Sequence, residues 1–357
     1  MSADLSVVLC SLNGSAGVHR CLSRLAGQSI ADRLEVIVVD DGSSDDTAAV
    51  ARADGAIVVR HPVNRGIAAA RNSGIAVATA PVVAFLDDDC EPTSDWAERL
   101  LFSHGQGVAG VGGTIVPCTP PGTVQRYLDR HNPLQPLELS LAVSDRLPYR
   151  LWLYLRRQWL PRGAATAAPT GQRDVYALVG ANMSFRRDVL AQVGGFDERF
   201  RFGAEEIDFC LRLHRAAQSA RLVCVTDAVV RHHFRPSLHD ILRRSRAYGS
   251  GSARLFRKWP GLPPTVFPGP IVVLGLLAAS TAIPPLALAA VAAPLVLYPQ
   301  GLKGAATGRG LGCLLDGYLQ LAQEACEDFG FAQGLWRFRH LVPEPADPPA
   351  SASPGSR

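Results

Sequence analysis

Between Lys258 and Lys303 the chain carries no Asp, Glu, Lys or Arg. A core helix rarely needs so long a stretch free of charge, whereas two short membrane crossings or a re-entrant hairpin do. The stretch runs "IVVLGLLAASTAI" (271–283), then Pro284 and Pro285, then "LALAAVAAPLVLY" (286–298). Each half is brief for a full span, so a membrane hairpin bent at the proline pair is expected over 256–303. Other absences narrow the class further. The eight cysteines are scattered, with no CxxC pair and no dense framework, and read as reduced, mostly buried thiols in a reducing compartment. No Gly-x-Gly-x-x-Gly follows the first apolar run, which offers only "LNGSAG", and no Lys follows glycines as a P-loop requires. Dinucleotide and P-loop chemistry are set aside. A net charge of +4 gives no ground for nucleic-acid binding, and no nucleic-acid partner is expected. Secretory-signal features are missing at the start, because Asp4 interrupts it and "LSVVLCS" is too short, so the N-terminal part is expected to fold in the cytoplasm. There is no internal repeat.

What is present begins with short apolar runs separated by helical stretches. Leu5 to Ser11, "LEVIVV" (34–39), "AIVV" (56–59) and "VVAFL" (82–86) alternate with helical patterns from about Gly17, from about Asp45 and from Gly66 to Thr79. This is the signature of βαβ units and of an α/β, Rossmann-like, mostly parallel sheet with helices on both faces. Such sheets bind ligands beyond the carboxyl ends of their strands. Asp40 and Asp41 stand at one such end and Asp87, Asp88 and Asp89 at another.

Three adjacent carboxylates repel and raise one another's pKa, and a divalent cation relieves the repulsion. Carboxylate oxygens suit Mn²⁺ or Mg²⁺, which commonly reach a protein through one or two carboxylates plus substrate phosphates. Asp40 and Asp41 can accept hydrogen bonds from a base or ribose. Arg65 and Arg71, in "NRGIAAARNSGI" (64–75), open a helix at the same edge, where guanidinium groups pair with phosphate.

Downstream, prolines break the pattern from about 117 to 175. Within it, "LPYRLWLYLRRQWLPR" (147–162) mixes tryptophan, tyrosine and arginine as a membrane interface does, an ordinary amphipathic surface helix being the alternative. The charge-free stretch has basic flanks. Arg231, Arg235, Arg243, Arg244, Arg246, Arg254, Arg257 and Lys258 face only Asp240 before it, and Lys303, Arg309, Arg337 and Arg339 follow it. Both flanks are therefore expected in the cytoplasm, against the inner leaflet, with an even number of crossings. Residues 304–342 are expected to include amphipathic helices packing back on the body or the membrane surface, and 343–357 form a Pro/Ser/Ala tail with too little apolar content to fold.

The motifs "SLNG", "VVDDGSSDDT", "NRGIAAARNSGI", "FLDDDCEP", "VGANMSFRRDVLAQVGGFDERFRFGAEEIDFCLRL" and "DAVVRHH" fall in the order and spacing of glycosyltransferase family 2, which the chain resembles over roughly residues 4 to 250. The resemblance implies a GT-A fold, placed at 1–255 ahead of the C-terminal hydrophobic helical hairpin read from the charge-free stretch, and inverting transfer from a nucleoside-diphosphate sugar, with UDP as the default. Asn13, Asp40, Asp41, Arg71, Asp87, Asp88 and Asn182 would serve the nucleotide-sugar. Asp89 and His232 would hold the metal, with His233 as the alternative to His232. Glu206, standing where the family usually has Asp, would be the catalytic base, with Glu205 as a competitor. Glu205 and Glu206 open a helix, whose dipole favours the ionised form. Membrane attachment implies a lipid-linked or glycolipid acceptor. A nucleotidyltransferase acting on sugar phosphates and an inactive membrane scaffold of the same fold are the rival readings.

Overall fold

The computed structural model describes residues 3–118, 121–136, 146–159, 171–217, 219–235 and 237–344. The apolar runs Leu5–Ser11 (β1), Leu34–Asp40 (β2), Ile57–Arg60 (β3) and Val82–Asp87 (β4) form parallel strands in the order β3-β2-β1-β4. All seven residues of β1 are buried because both faces of the sheet are covered. Side chains alternate across a strand. Leu5, Val7 and Leu9 thus pack with Val18 and Leu22 of helix α1 (Ser15–Ala26), and Val8 and Cys10 pack with Ala68 and Ala70 of α3 (Ile67–Val77). The short helix α2 (Thr47–Ala53) joins β2 to β3.

Beyond β4 the chain forms β5 (Cys90–Pro92), α4 (Trp96–Phe102), β6 (Val108–Pro117), α5 (Thr123–Arg130), α6 (Leu147–Trp159), β7 (Gln172–Val175), β8 (Asn182–Arg186), α7 (Arg187–Val193), α8 (Glu205–Ala216) and β9 (Arg221–His232). The complete sheet runs β3-β2-β1-β4-β8-β6-β9-β5, with β7 also on β9. The sheet is mixed: β1, β2, β3, β4, β6 and β9 run one way, as a mostly parallel sheet requires, and β8, β5 and β7 run antiparallel to their neighbours. The reason is local. The loop before β8 delivers Asn182 opposite Leu86, at the carboxyl end of β4, so β8 must run back the other way.

Two long helices, α9 (Leu238–Lys258) and α13 (Leu315–Arg337), cross at close range. A Cβ on Gly249 would lie 1.9 Å from the Glu327 carbonyl oxygen, and one on Gly330 2.0 Å from that of Arg246. Only glycine permits that approach. Helix α13 is also tied to α5, where Arg130 donates to both Asp316 oxygens at 2.6 and 2.8 Å and the Tyr127 hydroxyl lies 2.7 Å from Gln323 Oε1. The C-terminal helix therefore packs on the body, and the boundary expected at 255 lies inside α9.

The charge-free stretch forms α10 (Pro268–Ala279) and α11 (Pro285–Leu297), which pack on each other and on α13, followed by α12 (Gln300–Ala306). Among the described residues no single helix is long and apolar enough to cross a membrane; α11 and α12 reach that length only as a pair bent by 75°. Leu274, Leu288, Val291 and Val296 of the apolar pair are exposed. Trp152 and Trp159 of α6 are exposed as well, with Arg156 over the Trp152 ring at 5.3 Å and Lys303 over the Trp159 ring at 5.1 Å. Residues 160–162 of the aromatic stretch and the tail beyond 344 lie outside the described residues.

Candidate active site

A cleft of about 510 Å³ opens beyond the carboxyl ends of β1 and β4, and Asp41, Arg71, Asp87, Asp88, Asp89, Glu205, Glu206 and His232 all line it. Residues far apart in the chain meet here because β5 pairs with the end of β9 in a register that sets Cys90 opposite His232. Asp89 is thereby carried to the imidazole.

The three acids of "FLDDDCEP" differ in surroundings. Asp87 is partly exposed and lies 3.7 Å from Arg71 Nη2. Asp88 accepts a hydrogen bond from the Ser11 hydroxyl and is packed against Gly14 at the start of α1. Burial, followed by the charge of Asp89, pushes its carboxyl up to about 7. Asp89 is also raised to about 7, by burial and then by Asp87. Its Oδ1 lies 3.2 Å from His232 Nε2 yet makes no hydrogen bond, and Arg244 donates to its Oδ2 at 3.4 Å.

Burial lowers His232 to about 4, so the imidazole is neutral at pH 7 and its Nδ1 has no partner. His233 faces elsewhere, 2.8 Å from Glu91, which Arg24 also contacts at 3.0 Å. The ligand atoms of Asp89, Cys90 and His232 lie within 4.8 Å of one another. A partly exposed carboxylate with one buried orphan oxygen beside a neutral imidazole is a donor set that fits a divalent cation, and the carboxylates favour Mn²⁺ or Mg²⁺.

The Glu-Glu pair divides in the same way. Arg71 is buried and donates to Glu205 Oε1 at 2.6 Å. Glu206 has a buried Oε2 without a hydrogen bond, and burial, reinforced by Glu205, raises its carboxyl to about 8. Each glutamate thus keeps one buried oxygen without a hydrogen bond, and what separates them is that Glu205 is ion-paired through Oε1 to Arg71, while Glu206 has no ion pair among the described residues.

Other expected residues are committed within the protein. Asp40 is fully buried, accepts from the Ser43 amide at 2.8 Å and lies 3.2 Å from Arg60. Asp41, at the cleft wall, accepts from the Arg65 and Gly66 amides at 2.8 Å each and lies 2.6 Å from His61. Asn13 is exposed and its Oδ1 accepts from the Ser44 amide at 2.8 Å, joining the first two strand-end loops. Asn182 does not reach the cleft. Its Oδ1 accepts from the Trp96 indole at 2.9 Å and its amide donates to Ala228 at 3.1 Å, which turns it into the core.

Gly180, within the "VGANMSFRR" stretch, also lines the cleft, together with Arg244 and Tyr248, to which no motif points. Gly180 admits the Arg71 guanidinium, since a Cβ there would sit 2.5 Å from Nη2. Arg244 and Tyr248 line the cleft from α9, four residues apart on one face. That four-residue spacing after His232 is the sequence signal for a shared face, and it is hidden because Arg244 stands among the basic residues that flank the charge-free stretch.

A Rossmann-like sheet with acids at its strand ends, a metal-fitting acid and histidine pair, and a free carboxylate at a helix start define a GT-A-type transferase architecture. The model for "Glycosyl transferase family 2" matches residues 6–194, and that for "Glycosyl transferase family group 2" matches 167–301. The chain belongs to glycosyl transferase family 2. A pre-mycofactocin glycosyltransferase of Mycobacterium tuberculosis is 34% identical over 264 residues, covering 72% of this chain and 48% of that protein. This chain thus spans about half the length of that relative. A glucosyl-dolichyl phosphate glucuronosyltransferase of Haloferax volcanii is 28% identical over 242 residues, covering 64% of this chain and 68% of the relative. Among solved structures, a mannosyltransferase from Pyrobaculum calidifontis in complex with GDP-Man and Mn²⁺ is similar, with a TM-score of 0.55 at 21% identity, covering 94% of this chain and 88% of that one. It shares the fold.

Proposed function

We propose that the protein transfers a sugar, with inversion, from a nucleoside-diphosphate sugar to a hydroxyl of a membrane-associated or lipid-linked acceptor. The observation that carries this reading is the free Glu206 carboxylate, in one cleft with Asp87, Asp89 and His232. Glu206 takes the proton of the acceptor hydroxyl as its oxygen attacks the anomeric carbon, and the bond to the diphosphate breaks with its electrons on the leaving group. With its carboxyl raised to about 8, Glu206 is a stronger base than an ordinary carboxylate, and the fraction that is ionised, which grows as pH rises toward 8, is the form that takes the proton. A divalent ion, Mn²⁺ or Mg²⁺, held by Asp89 and His232 would supply charge stabilisation on the departing diphosphate. Arg71 orients Glu205 and Asp87.

UDP is the default nucleotide; the complex of the Pyrobaculum calidifontis protein with GDP-Man supports GDP as the competitor. The Haloferax volcanii relative, named for a dolichyl phosphate substrate, supports a lipid-linked acceptor. Exposed apolar residues on α10 and α11, beside the tryptophan and cation pairs of α6, support attachment to the cytoplasmic face of the inner membrane. The test is a panel of UDP, GDP and dTDP sugars with Mn²⁺ or Mg²⁺, scored by thermal stabilisation and by the anomeric configuration of the product. One preferred nucleotide and an inverted product are expected. Pyrophosphate release from a nucleoside triphosphate would replace this reading with a nucleotidyltransferase.

A further inference from the structure

We propose that Arg244, rather than Arg71, is the guanidinium that grips the donor diphosphate. This deepens the nucleotide-sugar reading and rests on it. Arg71 cannot easily leave its place. Its side chain is 4% exposed, it is paired with Glu205 at 2.6 Å, its guanidinium carbon stands 5.5 Å from the centre of the Phe196 ring, and it is covered by Gly180. Swinging it toward a ligand would strand Glu205 as a buried, unpaired charge, which is costly.

Arg244 is placed differently. Its side chain is 29% exposed and lines the cleft beside Asp89. Its one hydrogen bond, to Asp89 Oδ2 at 3.4 Å, is long compared with the roughly 2.7–2.9 Å of a charge-assisted bond. Among the described residues, the remaining donors of the fork have no acceptor. The Phe234 ring, 5.7 Å from the guanidinium carbon, braces it, and Tyr248, one turn on, stacks against Phe202 at 5.6 Å. The result is a braced, under-used planar fork within reach of Asp89, where a metal-linked diphosphate would lie. Two phosphate oxygens match that fork better than the single long contact to Asp89.

Calorimetric titration of the full chain with UDP and with GDP, each with Mn²⁺, tests the assignment, with the matching monophosphates as comparison ligands. Arg244→Ala is expected to weaken diphosphate binding by about 10- to 100-fold, the size of a charge-assisted contact, and to change monophosphate binding by less than about threefold. Arg244→Lys falls between the two, and Mn²⁺ binding without nucleotide is not weakened. Diphosphate binding as tight as wild type in both variants overturns the role of Arg244. If the alanine variant does not fold, Arg244→Gln, which keeps the bulk, decides on the same criteria. Wild-type protein that binds neither diphosphate refutes the nucleotide-sugar reading itself, a result separable from a normal wild type with an unaffected variant.

Discussion

Arg71 and Glu205, 134 positions apart, form a 2.6 Å ion pair in which neither side chain is more than 6% exposed. The pair fastens α3 to the start of α8 and divides the labour of two adjacent glutamates. Glu205 is the one anchored by an ion pair, and Glu206, next in the chain, lines the same cleft as the metal-fitting residues with no ion pair among the described residues.

Breaking this pair from one side should be costly. Arg71→Met leaves Glu205 buried and uncompensated, a defect worth about 3–5 kcal/mol. Urea unfolding should show a midpoint far below wild type. An unchanged midpoint would mean the pair does not support the fold.

The two glutamates should separate by assay. Glu206→Gln is expected to keep wild-type stability and lose at least about 100-fold in turnover, within the range of general-base contributions. Glu205→Gln should lose stability as well. The base works ionised and its pKa is raised to about 8, so wild-type turnover should fall as pH drops through about 8 and level off above it. A profile of Glu206→Gln with the same inflection would assign that titration to another group.

Metal binding should distinguish the adjacent histidines. His232→Ala is expected to weaken Mn²⁺ binding by at least about tenfold, in line with loss of a ligand or its close support. His233→Ala, whose ring meets Glu91 instead, should leave it unchanged. Titration followed by the electron paramagnetic signal of free Mn²⁺ reads both, and equal effects would remove the distinction.

The helix crossing offers a test of packing. Gly330→Ala puts a methyl 2.0 Å from the Arg246 carbonyl oxygen, so α9 and α13 must separate, at a cost of about 1–3 kcal/mol. Gly275→Ala, in α10, meets nothing within 4 Å and should be neutral or stabilising by up to about 1 kcal/mol. Thermal unfolding of the two variants side by side checks this; equal midpoints would contradict the crossing.

The first four strands and their helices were legible because each is a continuous apolar run or a helical pattern of its own, and their parallel order follows from the connections. The antiparallel β8 was not, since "NMSFR" is short and its direction is set by where a loop delivers it, opposite Leu86. The acids were legible as charges at strand ends, but their roles were not. The union of Asp89 with His232 depends on the β5 and β9 register, and the engagement of Asn182 depends on Trp96, Thr114 and Ala228, none of which is near it in sequence. Arg244 was visible only as one arginine among many. Which turn of α9 faces the cleft is decided by glycine contacts with α13.

The most direct test of the central claim is the release of nucleoside diphosphate from a nucleotide sugar, with Mn²⁺ and membrane extract as the acceptor source, by wild type and Glu206→Gln in parallel. The account predicts metal-dependent release by wild type, with the sugar appearing on an acceptor and at least about a 100-fold loss in the variant. Equal release by the two proteins would contradict it.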